Sequence, residues 1–436
     1  MILTERFVAC VAAGALMIGL SGWLEPLMAA GIALVALSVV LALADWLRLA
    51  RGVSLEIGRE CEDKLSLGAQ NHVRIALRNR GHVTLNGAVR DEYPEGFEAR
   101  GNVVDLRMPA RSTAEAVYQV TPPKRGDFEF GDIYVRLRGP LGMAARQIRY
   151  PMRRAVKVYP NLLEMRRYQT GLRRERPVRP GQKVARIRGR GTDFESLRDY
   201  LPDDEFRAVD WKATARRGKL VTRLYQEEKS QNVMIVLDCG RVMGPVIAGL
   251  SRLDHSVNAA MMLAHVAALK GDRVGLMAFG EEIASYLPPR AGKSQTLNLL
   301  GLAYNLHEAQ GDSDYHRAVH YLSRRWSRRS LVVFFTDLVD PESSAPLISQ
   351  VASLTRKHLC VCATMADPAV LAMARGPVET SEDAFRAAGA RQVLHARRQA
   401  AARLVRSGAT VIDLPPDELT RGVVSEYLNI KVRGLL

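Results

Sequence analysis

Residues 186–243 read RIRGRGTDFESLRDYLPDDEFRAVDWKATARRGKLVTRLYQEEKSQNVMIVLDCGRVM, and the run NVMIVLD at 232–238 inside them decides the fold. Seven residues that are apolar except at the two ends suit a strand buried on both faces, which is the pattern of a parallel sheet. The strand ends on a carboxylate, Asp238, followed by Cys239 and a Gly240-Arg241 turn. In open α/β sheets the carboxyl ends of the strands are where ligands gather. Asp238 is therefore the first candidate site residue.

Beyond 238, apolar strands alternate with amphipathic helices. Strands are expected at 273–279, 331–336, 358–364 and 410–414, with 283–287 as a hairpin partner of the first of these. Helices are expected at about 254–270, 294–308 and 382–406, with another before 358 and one closing the chain. This alternation predicts an α/β domain over 231–436 with a mostly parallel, doubly wound sheet. Asp337 follows the strand at 331–336. Two acids that end parallel strands should meet at one edge of the sheet, with Arg241 beside them.

At the other end of the chain, 7–24 and 27–44 contain no charged residue. Each is about long enough to cross a hydrocarbon core as a helix. Glu25-Pro26 separates them, and Trp23 and Trp46 fall at their ends, where aromatic belts lie. Arg6 precedes the first run and Arg48 and Arg51 follow the second, while the connecting turn has no Lys or Arg. The positive-inside rule then places both ends in the cytoplasm, so residues 1–50 are expected to form a two-pass transmembrane hairpin. A cleaved signal peptide is the competing reading. Neither span carries an internal acid or base, which speaks against transport.

Between these parts, 51–160 alternates polar and apolar residues over short runs, for example Val73, Ile75 and Leu77, and Ile133, Val135 and Leu137. Turn signals at 79–81, 94–96, 122–123 and 125–127 separate the runs, so an all-β immunoglobulin-like sandwich is expected. Residues 161–230 form a basic linker followed by a charged, aromatic-punctuated segment. The net charge of +16 calls for an anionic neighbour. With an anchor in the same chain, membrane lipid fits the linker better than nucleic acid. The five cysteines show no framework spacing, which suits a reduced compartment.

Three patterns promise chemistry and fall short of it. Gly292-Lys293-Ser294 looks like the end of a P-loop, but Leu287 stands where its first glycine belongs. Asp203, Asp204, Glu205 and Asp210 form an acidic cluster within reach of Arg198, Arg207, Lys212, Arg216 and Arg217, which reads as ion pairing more readily than as a hydrolase site. His255, His265, His316 and His320 are more readily surface or packing residues than ligands, and although His316 and His320 are four apart no Glu follows His316 in zincin fashion. Tyr200 and Trp211 are either apolar anchors of that segment or exposed contacts for a partner.

The segment GRGTDFESLRDYLPDDEFRAVDWKATAR at 189–216 resembles the signature of the domain-of-unknown-function 58 (DUF58) family. The P-x-x-R-G at 122–126, the G-P-L-G at 139–142 and the V-Y-P at 158–160 resemble it too. The resemblance implies a membrane-anchored bacterial protein with a von Willebrand factor A-like C-terminal half, associated with a MoxR-type AAA+ ATPase. Such a domain would hold Mg²⁺ through D-x-S-x-S, a loop Thr and a later Asp. Here Gly240 and Val242 replace both serines, Asp337 matches the later Asp, and Ser294 or Thr296 stands loosely for the Thr. Either Asp238 and Asp337 hold Mg²⁺ weakly, or the Arg241 guanidinium takes its place and neutralises both acids.

These observations lead to one expectation. The protein is a membrane-anchored cytoplasmic adaptor of the bacterial inner membrane, not an enzyme, gripping a MoxR-type ATPase through Asp238, Arg241, Asp337, Tyr200 and Trp211. No cofactor is expected beyond weakly bound Mg²⁺, and neither a specific nucleic acid nor a small-molecule substrate. The alternative is a metal-dependent hydrolase or nucleic-acid-binding protein that uses the 203–210 acids and the basic linker.

Overall fold

The computed structural model describes residues 2–161, 163–164, 193–201, 206, 209–226 and 230–435. It divides into two compact units, 1–163 and 164–436. The basic linker at 166–190 and Asp203, Asp204, Glu205 and Arg207 lie outside the described residues.

The first unit begins with two apolar helices, Glu5–Gly19 and Pro26–Gly52, joined by a short 3₁₀ turn at Leu20–Gly22. Glu5–Gly22, which includes that turn, and Pro26–Gly52 are each long and apolar enough to cross a membrane by length and composition. They approach closely where two glycines face each other. A Cβ on Gly14 would lie 2.6 Å from Val35, and one on Gly31 would lie 2.7 Å from the Gly14 carbonyl oxygen. Small residues of this kind let apolar helices pack backbone to backbone.

The remainder of this unit is sheet. A five-stranded sheet runs in the order Ile2–Leu3, Ala144–Tyr150, Ile133–Arg138, Leu85–Asp91, Val103–Met108. A four-stranded sheet runs Leu55–Glu60, Asn71–Asn79, Thr113–Thr121, Glu98–Arg100, and a three-stranded one Lys64–Ser66, Arg154–Tyr159, Gly126–Phe130. The alternation read from the sequence is visible in the burial, since Val73, Ile75 and Leu77 point inward while His72, Arg74 and Arg78 are exposed. Inside lies one buried ion pair: Arg59 Nε donates to Asp91 at 2.9 Å, and the Tyr118 hydroxyl donates to the same carboxylate at 2.6 Å.

The second unit is built on a six-stranded sheet in the order Ile283–Arg290, Arg273–Phe279, Asn232–Asp238, Leu331–Phe335, Leu359–Met365, Thr410–Leu414. Every pairing is parallel except that of the edge strand Ile283–Arg290, which returns antiparallel from its neighbour. All residues of 233–238 are buried because helices cover both faces. Arg252–Leu269, Lys293–Tyr304 and Pro416–Val432 pack on one face, where Val233, Ile235 and Leu237 point. Tyr315–Arg325, Ala345–Leu354 and Ser381–Arg406 pack on the other, under Met234 and Val236. The helix Tyr315–Arg325 and the short one at Pro368–Arg375 are additions to the sequence reading. His316 and His320 lie exposed on the first of these, their rings stacked 6.3 Å apart.

Buried Asp272 tethers the closing helix to the far end of the sheet. It accepts from Gln231 N at 2.9 Å and Tyr427 Oη at 2.5 Å, and it pairs with Lys431. Preceding the sheet, Asp193–Asp199 and Val221–Gln226 form an antiparallel hairpin flanking the helix Trp211–Arg217.

Candidate functional site

Parallel pairing in register, Leu237 opposite Phe335, sends Asp238 and Asp337 out of adjacent strands at the same end of the sheet. The expected convergence is therefore present. What surrounds each acid differs from expectation.

Asp238 is wholly buried and its carboxylate is filled by its own chain. Oδ1 accepts from Gly240 N at 2.9 Å and from the Ser313 hydroxyl. Oδ2 accepts from Tyr315 Oη and Thr336 Oγ1, each at 2.7 Å, and these two hydroxyls lie 2.9 Å apart. A carboxylate offers about four acceptor positions, so none remains to be filled. Burial, then the negative charge of Asp238, holds the Tyr315 phenol far above its ordinary pKa, which keeps it a neutral donor.

Asp337 is 6% exposed and bound from both sides by guanidinium groups. Arg252, in the first turn of its helix, reaches Oδ2 at 2.5 Å, and Arg397 reaches Oδ1 at 2.6 Å. Arg397 also donates to Leu338 O at 2.6 Å, Met365 O at 2.7 Å and Asp413 at 2.9 Å. Burial opposes its charge, but Asp337 and Asp413 outweigh that and raise its pKa. Thr364 adds a hydroxyl to Asp413 at 2.9 Å.

The sequence expectation for Arg241 is corrected here. Its guanidinium does not neutralise the two acids but pairs with Asp312 at 2.9 Å, with both side chains largely in solvent. Charge neutralisation falls to Arg252 and Arg397 instead, which reach Asp337 from helices on opposite faces of the sheet. Asp238 and Asp337, both expected as partner-contacting residues, are buried and present little surface to solvent.

Nor does the donor set fit Mg²⁺. The oxygens of Asp238 are already saturated, and two cationic side chains on Asp337 would repel a third positive charge. Ser294 and Thr296 sit in the helix Lys293–Tyr304, and the hydroxyl that reaches Asp238 is that of Ser313. Gly240 explains why: a Cβ there would overlap the Ser313 hydroxyl, so Ser313 fills the space that a side chain at 240 would take. Replacing Gly240→Ser is expected to expel Ser313 and to lower stability by about 1–3 kcal/mol, through overpacking and a lost bond to a charged acceptor. Denaturant midpoints with and without the additional change Ser313→Ala check this, since the second change should relieve part of the loss.

Backbone bonds tie the rim together. Cys239 N donates to Phe279 O at 2.7 Å, Ala309 N to Cys239 O at 2.6 Å, Arg241 N to Gly311 O at 3.0 Å and Asp314 N to Gly280 O at 2.9 Å. Ser313, Tyr315, Arg252 and Arg397 are residues of the candidate site that the sequence reading missed. The G-D-S-D at 311–314, a polar turn opening onto a helix capped by Asp314, was the available signal for the first two. Of the acidic cluster, Asp210 caps the helix Trp211–Arg217 by accepting from Ala213 N at 2.9 Å. Trp211 is exposed and its ring meets exposed Phe206 at 5.4 Å, whereas Tyr200 is half-buried.

Comparison with known proteins bears on this unit. Residues 196–404 match the family described as "Protein of unknown function DUF58". The matched segment runs from within the strand Asp193–Asp199 to the last turn of the helix that carries Arg397. "Uncharacterized protein YeaD" of Bacillus subtilis (strain 168) is 24% identical over 225 residues, covering 50% of this chain and 54% of its own length. An "Uncharacterized protein" of Mycobacterium tuberculosis (strain ATCC 25618 / H37Rv) is 24% identical over 163 residues, covering 37% and 51%. The chain spans about half the length of the curated relatives it matches. Among solved structures, proximal thread matrix protein 1 from the mussel byssus is 11% identical with a TM-score of 0.27, covering 47% of this chain and 46% of its own. A CARDB domain from Pyrococcus furiosus is 12% identical with a TM-score of 0.17, covering 24% and 94%.

Proposed function

We propose that the protein is a membrane-anchored adaptor whose α/β unit offers the carboxyl rim of its sheet to a protein partner. One observation carries the reading: the acids that could do chemistry there are consumed in bonds to their own chain, leaving a fixed rim with exposed groups on top. Asp238 clamps three loops, Asp337 and Arg397 clamp the neighbouring strands, and Arg241, Val246 and Asp312 remain exposed above them. A preorganised surface of this kind suits recognition, because little conformational entropy is lost on binding.

In this reading the second unit is a von Willebrand factor A-like domain that retains its contact edge with guanidinium groups in place of metal, and the sheet-rich part is an immunoglobulin-like spacer. In the same reading both lie in the cytoplasm of a bacterium at the inner membrane, and the distribution of Arg6, Arg48 and Arg51 supports that orientation. The partner is a MoxR-type AAA+ ATPase, which supplies the nucleotide chemistry.

The test changes exposed rim residues and leaves the buried acids intact. Arg241→Glu combined with Val246→Asp is expected to leave stability within about 0.5 kcal/mol, as for ordinary surface changes. Affinity of the full chain for the ATPase, measured by titration calorimetry in nanodiscs, should fall about tenfold or more, as for loss of a contact worth roughly 1.4 kcal/mol. Unchanged affinity with unchanged stability would rule out this rim as the contact.

A further inference from the structure

The turn at 139–144 in the first unit receives both ends of the apolar hairpin. From one side, Ile2 and Leu3 pair antiparallel with Ala145 and Ala144, and Thr4 N donates to Met143 O at 3.2 Å. From the other, Asp45 presents a fully buried carboxylate that accepts from Leu141 N at 3.0 Å, Met143 N at 2.9 Å and Ala144 N at 3.4 Å. Arg146 Nη1 then donates to Leu49 O at 3.1 Å and Ala50 O at 3.3 Å, among the last carbonyls of the helix Pro26–Gly52.

This accounts for the Gly-Pro-Leu-Gly at 139–142. A methyl group on Gly139 would overlap the Asp45 carboxylate, and Gly142 has φ +73°, in the left-handed region. The motif has the shape needed to admit an aspartate from an adjoining helix.

Depth follows from the same bonds. Asp45 comes directly after the uncharged run 27–44, which as a helix is about 27 Å long, close to the thickness of a hydrocarbon core. The turn that satisfies Asp45 must therefore reach the boundary between acyl chains and headgroups. At its tip Leu141 is exposed, and the guanidinium of exposed Arg6 lies against Gly142. Arg48 and Arg51 are exposed on the last turns of the second helix, and Glu5 is the acid nearest Arg6 in the chain.

We infer that the turn 139–144 is a lipid-contacting surface, with Leu141 entering the upper acyl region and Arg6, Arg48 and Arg51 binding anionic phospholipid headgroups. The occupant is the bilayer because this surface continues the hairpin without a break and its exposed charge is mainly positive. The inference rests on the reading that the hairpin spans the membrane, and the test separates the two.

The full chain is placed in nanodiscs of phosphatidylcholine and phosphatidylglycerol that contain a phosphatidylglycerol with a diazirine near the top of its acyl chain. After illumination, adducts are mapped by mass spectrometry. Adducts on 139–144 as well as on both spans are expected. Adducts on the spans alone overturn the contact at the turn and leave the hairpin standing; adducts on neither overturn the hairpin reading and this inference with it. In the same discs, Arg48→Gln and Arg51→Gln should each lower the retention of phosphatidylglycerol over phosphatidylcholine about fivefold. Unchanged retention in both variants would overturn the headgroup contacts.

Discussion

Arg397→Ala is expected to lower the stability of the α/β unit by about 3–5 kcal/mol, the range for removing one partner of a buried ion pair. The change strips Asp413 of its guanidinium, takes one of two cations from Asp337, and leaves the carbonyls of Leu338 and Met365 without a donor they now have. The side chain is only 9% exposed, so water does little to repair the loss. Arg386 on the same helix provides the comparison. It pairs with Glu382 one turn away, but both are largely exposed, and Arg386→Ala should cost no more than about 0.5 kcal/mol. Denaturant midpoints of the two variants, followed by amide exchange in Leu331–Phe335, give the result. Equal costs would mean that the buried network does not hold the rim.

Asp91→Ala is the corresponding change in the sheet-rich unit, and it is also expected to cost about 3–5 kcal/mol. The carboxylate is fully buried and accepts from both Arg59 and Tyr118, so its removal leaves a buried guanidinium without its counter-charge. In the intact protein burial, and then Asp91 itself, holds the Tyr118 phenol well above its ordinary pKa, so it is a neutral donor to that carboxylate. The exposed cross-strand pair Arg74–Glu115 is the control, with about 0–1 kcal/mol expected for Arg74→Ala. Amide exchange in Asn71–Asn79 and Leu85–Asp91 distinguishes a loss in this unit from one elsewhere in the chain.

The strands were the most legible part of the fold. Runs such as 232–238, 273–279 and 410–414 are apolar enough, and closely enough bounded by polar or turn residues, that burial on two faces is the simplest account of them. The helix Tyr315–Arg325 was passed over because eight of its eleven residues are His, Arg, Ser or Tyr, although Ala318, Val319 and Leu322 supply an apolar stripe. The meeting of Asp238 and Asp337 followed from topology alone. Their partners did not. Arg241 attracted attention by being three residues from Asp238, whereas Arg397 reaches Asp337 across 60 residues of chain. Nothing in local spacing marks one arginine among many in a basic helix as the one that points inward. Ser313 was hidden for a related reason, since the steric exclusion that connects it to Gly240 exists only after two loops have come together.

The bonds of Arg397 carry a consequence for biogenesis. They join the ends of Leu331–Phe335, Leu359–Met365 and Thr410–Leu414, and the last of these is made well after the other two. A chain still being synthesised, or truncated before residue 410, therefore lacks Asp413, and the clamp over Asp337 stays half-made. Domains complete their long-range contacts only when the last participating segment is available. The two apolar helices, by contrast, precede the α/β unit in the chain and are made before it. Under the proposed function, membrane attachment would then precede competence for recognition, and unfinished chains would be tethered but silent.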